Sequence, residues 1–285
     1  MSKIAVITDS NSGILPQEAR EIGVSVLPMP FTIDNETYYE GINLTREEFY
    51  QRMEDGAQIA TSQPAPADIM KTWDEALESS DEVVYIPMSS GLSGSCQSAL
   101  MLSEDYDGRV QVVNNQRISV TQKRSVLDAL EMAERGMSAA EIRAELERVK
   151  FESSIYIMLD TLKYLKKGGR ITPAAAAIGS LLRIKPVLQI KGERLDAFSK
   201  ARTLSQGRNI MIGAMKHDIE TLYGGTENVW LYAVQGYVPD EFKEYAQEVR
   251  KAFPTANVQE DMLSLSVACH IGPGALAIAC SKKIS

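Results

Sequence analysis

Four short segments of the sequence concentrate the side chains able to grip a ligand. The first, Ser89-Ser90-Gly91-Leu92-Ser93-Gly94-Ser95, sets hydroxyls among glycines between an apolar strand pattern and a helix pattern. In open α/β sheets, ligands sit at the carboxyl ends of strands, where loop amides and the next helix N-terminus can receive an anion. The same residues also make an ordinary helix N-cap with turn glycines, and both readings stand. No Lys follows the second glycine, so this is not a Walker A loop. Gly91-Leu92-Ser93-Gly94-Ser95 lacks the last glycine of G-x-S-x-G, so the nucleophile elbow is incomplete. The second segment, Thr61-Ser62-Gln63-Pro64-Ala65-Pro66, is a capping pattern before a Pro-opened helix, and a ligand site only where it meets the first. The third, Cys269-His270-Ile271-Gly272-Pro273-Gly274-Ala275-Leu276, holds a histidine in an uncharged stretch, whereas His217 lies in a charged helical run and reads as surface. The fourth, Tyr164-Leu165-Lys166-Lys167-Gly168-Gly169-Arg170-Ile171, puts basic residues at a helix C-terminus, where they favour the dipole; Arg202-Thr203 follows later. Together the four are rich in Thr, Ser, Gly and His donors and poor in acids. They lack the carboxylate pair of a glycosidase and any metal-ligand cluster. Such chemistry suits holding an anionic head group better than transforming a substrate.

The elements that must position these segments fall into two halves. Strand patterns at Lys3–Ile7, Val83–Ile86 and Val110–Val113 alternate with helices opened by Pro16, by the Thr45/Glu48 capping box and by Pro66, then by helices at Ala99–Leu102, Thr121–Arg135 and Ala139–Lys150. That alternation predicts an α/β domain over residues 1–150 with a mainly parallel sheet covered on both sides. From Ile155 the pattern changes. A strand at Ile155–Leu159 precedes a helix ending at Gly168-Gly169 and a small-residue helix at Pro173–Leu182. The strands Pro186–Ile190 and Arg194–Phe198 form a hairpin signal around Lys191-Gly192. A long helix from Arg202 to Leu222, a strand at Val229–Val234, a helix at Pro239–Lys251 and a last strand at Ala275–Ala279 complete an α+β domain over residues 151–285.

Composition narrows the classes. Of 285 residues, 44% are hydrophobic and 24% charged, an ordinary globular balance. Thirty Lys and Arg against thirty-eight Asp and Glu leave a net charge of −8, which argues against a broad nucleic-acid-binding surface. Three cysteines without C-x-x-C spacing fit a reducing compartment and no structural zinc. The N-terminus is too short in apolar residues for a signal segment, and the uncharged stretches Val83–Ser103 and Met262–Ser281 are broken by Gly, Pro, Ser or His. A soluble, cytoplasmic protein is expected.

TSQPAP, SSGLSGS, YLKKGGRI and HIGPGALAI, taken in this order and spacing, resemble the hallmarks of the bacterial DegV family, and Asp9-Ser10 and Gly179–Leu188 fit the same pattern. The likeness spans essentially the whole chain. It implies a two-domain α/β fold with a long-chain fatty acid between the domains. For the FakB-type members it also implies presentation of that fatty acid to a separate ATP-dependent fatty-acid kinase, which makes acyl phosphate for phospholipid synthesis. By motif, Thr61, Ser62, Ser93 and the amides near Gly94 would hold the carboxylate, with His270 completing the network, and Arg170 and Arg202 would face the kinase. Ile171, Ile178, Leu181, Leu182, Ile184, Val187 and Leu188 offer an apolar lining for the chain, or plain core. No cofactor, metal, nucleic acid or stable membrane insertion is expected. The family often has Asp-Ser where this chain has Asn114-Asn115, a glycine-rich helix start at Thr121-Gln122-Lys123, and Gly-Thr-Tyr at Gly94-Ser95-Cys96. The competing reading is a serine hydrolase or thioesterase using Ser93, His270 and Asp9; a nucleotide or sugar-phosphate binder is disfavoured by the scarcity of cations near the Gly/Ser loop.

Overall fold

Apolar strands followed by amphipathic helices build a four-stranded parallel sheet in the order β2-β1-β6-β7, with β1 at Ile4–Asp9, β2 at Ser25–Leu27, β6 at Glu82–Ile86 and β7 at Val110–Val112. The structure, a computed structural model, describes residues 2–173 and 184–284. Val83 to Ile86 are inaccessible to solvent, as a parallel strand covered on both faces must be. Helix α1 (Pro16–Ile22) opens on its proline and closes on Gly23 in the left-handed region, and α2 (Arg46–Glu54) starts at the Thr45/Glu48 capping box. Helix α3 (Pro66–Leu77) buries Ile69 and Trp73 against Tyr85, Ile7 and Val112, in a core shared with Cys96 and Ala99 of α4 (Ser95–Ser103). Helices α5 (Val120–Glu134) and α6 (Ala139–Arg148) complete this half.

A second, three-stranded antiparallel sheet in the same half went unread in the sequence: β3 (Phe31–Ile33), β4 (Glu36–Tyr38) and β5 (Ile59–Thr61), ordered β4-β3-β5. Its strands are three residues long, too short for a period of two to stand out. Asp34 and Asn35 both take positive φ, at 51° and 71°, as the two-residue turn between Ile33 and Glu36 requires.

The other half is built on a six-stranded mixed sheet, β10-β9-β8-β13-β11-β12, of β8 (Ser153–Met158), β9 (Lys185–Ile190), β10 (Leu195–Ala201), β11 (Val229–Gly236), β12 (Val258–Met262) and β13 (Ala275–Lys282). Helix α7 (Lys163–Gly168) ends on Gly169 in the left-handed region, as the double glycine predicts. On one face, Met211, Met215 and Ile219 of α8 (Leu204–Thr221) and Phe242, Tyr245 and Val249 of α9 (Pro239–Ala252) pack against Tyr156, Met158, Val187, Leu231 and Ile278. Two elements here escaped the sequence reading. Strand β12 is an acidic edge strand, Val-Gln-Glu-Asp-Met, and α10 (Leu265–Ile271) lies in a segment read only as a turn-bearing stretch. The expected helix at Pro173–Leu182 lies almost wholly outside the described residues.

The chain divides into two compact units, Met1–Lys150 with Ser264–Ser266, and Phe151–Leu263 with Val267–Ser285. Among the described residues no helix is long and apolar enough to cross a membrane, and the three cysteines are free and buried.

Candidate functional site

The Gly/Ser loop leaves the carboxyl end of β6, between β1 and β7, and feeds the N-terminus of α4. Ser89 organises it. Its Oγ accepts from Gly91 N at 3.3 Å, and its carbonyl accepts from Leu92 N at 3.0 Å and Ser93 N at 3.2 Å. Ser93 Oγ accepts from Ser95 N at 3.2 Å, leaving the half-buried hydroxyl its own proton to donate. The second segment arrives alongside. Thr61 ends β5, paired with Phe31 of β3, and Ser62 N donates to Pro30 O. A Cβ placed on Gly94 would lie 3.4 Å from Gln63 Oε1, so the Thr61–Pro66 and Ser89–Ser95 segments meet in space within the first unit. Their meeting is the condition that the sequence set for reading the capping pattern as a candidate ligand segment. Ser95, which the sequence reading passed over, is fully buried, and its Oγ has no hydrogen-bond partner among the described residues. Its only sequence signal was its place in the loop.

In the second unit, the YLKKGGRI and HIGPGALAI segments also meet, and glycines make the meeting possible. A Cβ on Gly168 would lie 2.1 Å from His270 Nδ1. Gly272, at φ 77°, admits the Tyr164 ring, which a Cβ would approach to 2.3 Å, and Gly274, at φ 84°, admits Asp160 Oδ2 at the same separation. His270 is half-buried rather than fully enclosed. Burial, aided by the Arg170 cation, pushes its imidazole down to about 4, so at pH 7 it is neutral, with one N–H donor and one lone pair. Arg170 itself is exposed and donates to Gly168 O at 2.6 Å. Arg202 is exposed beside the N-terminus of α8, its backbone N–H donating to Gln206 Oε1, and His217 is a surface residue as expected.

Among the candidate lining residues, Val187 and Leu188 are buried while Ile171 and Ile184 are half-buried; Ile178, Leu181 and Leu182 lie outside the described residues. Val187 points into the core beneath α8. Leu188, its neighbour along the strand, points to the opposite sheet face, where register sets it beside Ile157, itself paired with Ala277. That face is apolar and buried, and Ile157 was not among the expected lining residues.

Asp9, the acid of the hydrolase reading, is fully buried, and its carboxylate accepts four hydrogen bonds. Oδ1 accepts from Asn11 N (3.0 Å), Asn11 Nδ2 (2.9 Å) and Gln122 Nε2 (3.1 Å), and Oδ2 from Met88 N (2.8 Å). Burial raises its pKa above the ordinary carboxylate value while those bonds pull the other way. A triad acid has instead to offer an oxygen to an imidazole. Among the described residues no group of three or more His, Cys, Asp or Glu could hold a metal ion.

The DegV family model matches residues 3–283. The chain belongs to the DegV family. A DegV domain-containing protein from Deinococcus radiodurans is 31% identical over 280 residues, covering 97% of each chain. A DegV family protein from Thermus thermophilus, described by its fatty-acid binding, has a structure similar to this one at a TM-score of 0.89, with 33% identity over 99% of this chain and 100% of that one. A stearic-acid-binding protein from Eubacterium ventriosum also reaches 0.89, at 25% identity over 99% of both chains. The mixed α/β architecture expected for a DegV protein is thus the one present, with a parallel sheet flanked by helices and a mixed sheet in the second unit.

Proposed function

We propose that this DegV protein is a carrier that binds a long-chain fatty acid, and that the Gly/Ser loop and the end of β5 hold the carboxylate. The observation that carries this reading is the approach of the Thr61–Gln63 and Ser93–Gly94 segments, two hydroxyl-bearing stretches. Thr61, Ser62, Ser93 and the Gly94 amide are the head-group ligands. Neutral His270 completes the set as a donor that adds no charge, and Ser95 joins the candidates as a buried hydroxyl. The tail contributes most of the affinity. At roughly 0.8 kcal/mol per buried CH₂, a sixteen-carbon chain gains about 11 kcal/mol before the costs of binding. Leu188, Ile171 and Ile184, with Ile157, are candidates to cover it. The carboxylate adds a few charge-assisted hydrogen bonds and fixes which end is presented. Two similar structures named for fatty-acid or stearic-acid binding support the ligand class.

The finer proposal is that the bound acid is offered to a separate ATP-dependent fatty-acid kinase, with exposed Arg170 and Arg202 meeting an acidic or phosphate-bearing partner. Mass spectrometry of lipid extracted from purified protein, with in vitro phosphorylation by such a kinase, tests both levels. Thr61→Ala and Ser93→Ala are expected to lower retained fatty acid several-fold while the fold persists. Arg170→Ala and Arg202→Ala are expected to keep the lipid and slow its phosphorylation. Full lipid occupancy in both hydroxyl variants contradicts the ligand assignment, and normal turnover in both arginine variants moves the partner surface elsewhere. Labelling of Ser93 by a fluorophosphonate would favour the hydrolase reading instead.

A further inference from the structure

The parallel sheet order β2-β1-β6-β7 reverses direction of growth between β1 and β6, and the crevice outside the carboxyl ends of those two strands is where an α/β sheet offers a ligand site. Here Asp9 fills that crevice, and its bonds run into the backbone on both sides. Oδ1 takes the turn after β1 through Asn11 N and takes α5 through Gln122 Nε2; Oδ2 takes Met88 N, the first residue but one after β6. The next amide, Ser89 N, donates to Arg117 O at 2.8 Å. Two consecutive amides at the root of the Gly/Ser loop are therefore pinned from opposite sides. Arg117 is itself anchored. Its guanidinium is buried and donates to Val149 O at 2.9 Å and to Ser125 Oγ at 3.2 Å. The residues flanking it are strained. Gln116 has φ 58°, and Ser119 has φ 56° with ψ −139°, a conformation that suits glycine, held by its N–H donating to Asn11 O. Strain of this kind persists only where the surroundings over-determine it. From the two pinned amides, the bonds of Ser89 to Gly91, Leu92 and Ser93 carry the constraint to the Ser93 hydroxyl.

We infer that Asp9 and the Arg117 carbonyl are positioning groups for the carboxylate-binding loop, setting Ser93 and Gly94 through Met88 and Ser89 without touching the ligand. This rests on the fatty-acid reading above. It gives Asp9 a task that its family motif, Asp9-Ser10, does not by itself explain, and that differs from the acid of a catalytic triad.

The test uses the full chain in three forms, wild type, Asp9→Asn and Ser89→Ala, with two readouts. Asparagine keeps the shape of Asp9 but turns one acceptor into an NH₂ group, so either Met88 N or the Asn11 and Gln122 donors lose their partner; Ser89→Ala removes the acceptor of Gly91 N. Hydrogen–deuterium exchange is expected to rise at least ten-fold over Met88–Ser95 in both variants, with β6 still protected. Binding of palmitic acid is expected to weaken about ten-fold, while binding of the alcohol of the same length, which has no carboxylate, changes by less than two-fold. Unchanged exchange in the loop overturns the inference, as does equal loss for acid and alcohol, which would mark a general loosening. A wild-type protein that binds neither lipid refutes the fatty-acid reading instead, and the exchange arm still decides whether Asp9 pins the loop. If Asp9→Asn fails to fold, Met88→Pro, which removes the amide that Asp9 Oδ2 accepts from and leaves Asp9 in place, carries both readouts.

Discussion

The two units position their candidate ligand groups by different means. In the first, hydrogen bonds pin the Ser89–Ser95 loop: each turn of backbone is answered by a carboxylate, a carbonyl or a serine oxygen, and Gly94 sits at φ −71°, where any residue is comfortable. In the second, close packing does the work. His270, Tyr164 and Asp160 each occupy the space that a Cβ would need on Gly168, Gly272 or Gly274. A pinned loop loses its geometry when an acceptor is removed, whereas a packed motif loses it when an atom is added.

The largest effect expected from this contrast is at Gly272. Alanine there meets a left-handed backbone, costing about 1–2 kcal/mol, and drives its Cβ into the Tyr164 ring, adding about 1–3 kcal/mol. Gly272→Ala is therefore expected to destabilise the protein by about 3 kcal/mol, measured by urea denaturation. Gly168→Ala sets two terms against each other, since alanine gains about 1 kcal/mol in a helix. A 2.1 Å approach to a ring atom bonded close to the His270 backbone outweighs that gain. If both variants are as stable as wild type, the second motif is not held by packing.

Much of this was legible in the residues. Val83–Ile86, the Thr45/Glu48 capping box and the Gly168-Gly169 stop carry local patterns that survive folding, so their elements fell where expected. The Phe31, Thr37 and Ala60 strands did not, because three residues hold no period, and α10 was hidden because its Ser264-Leu265-Ser266-Val267 stretch has no charged face to mark a helix. Within the candidate site, composition alone exposed the four segments. It could not expose what the glycines were for: Gly168 and His270 stand about a hundred residues apart, and their contact leaves no trace in either neighbourhood. The Asp9–Met88 bond was invisible for the same reason.

The second effect is a pH dependence. Unfolded, His270 returns to its ordinary value of 6.5; folded, it lies near 4. Between those pH values the unfolded chain binds the proton and the folded chain does not, so stability rises with pH and is lost on acidification through this window. At about 1.4 kcal/mol per pH unit the loss reaches at most about 3 kcal/mol. Asp9, Glu40 and Asp128, whose values burial raises, act with the opposite sign, because the folded state takes up their protons first. The difference between wild type and His270→Gln isolates the histidine. Urea midpoints compared from pH 7 to 4.5 are expected to converge on the variant's as acid removes the wild-type advantage, and parallel curves would show that His270 titrates normally.

The smallest effect belongs to Gly94, and it sharpens the comparison most. Its φ is negative, it is exposed, and the nearest atom to a new Cβ is the far end of the Gln63 side chain at 3.4 Å, ordinary van der Waals contact. The one cost is exchanging glycine for alanine at the N-cap of α4, below about 1 kcal/mol. Gly94→Ala is therefore expected to leave the urea midpoint within a few tenths molar of wild type, although Gly94 and Gly272 both punctuate family motifs. A loss as large as that of Gly272→Ala would mean that the Gly/Ser loop is also held by close packing, and the hydrogen bonds from Asp9 and Arg117 would then be a consequence of the loop's shape and not its cause.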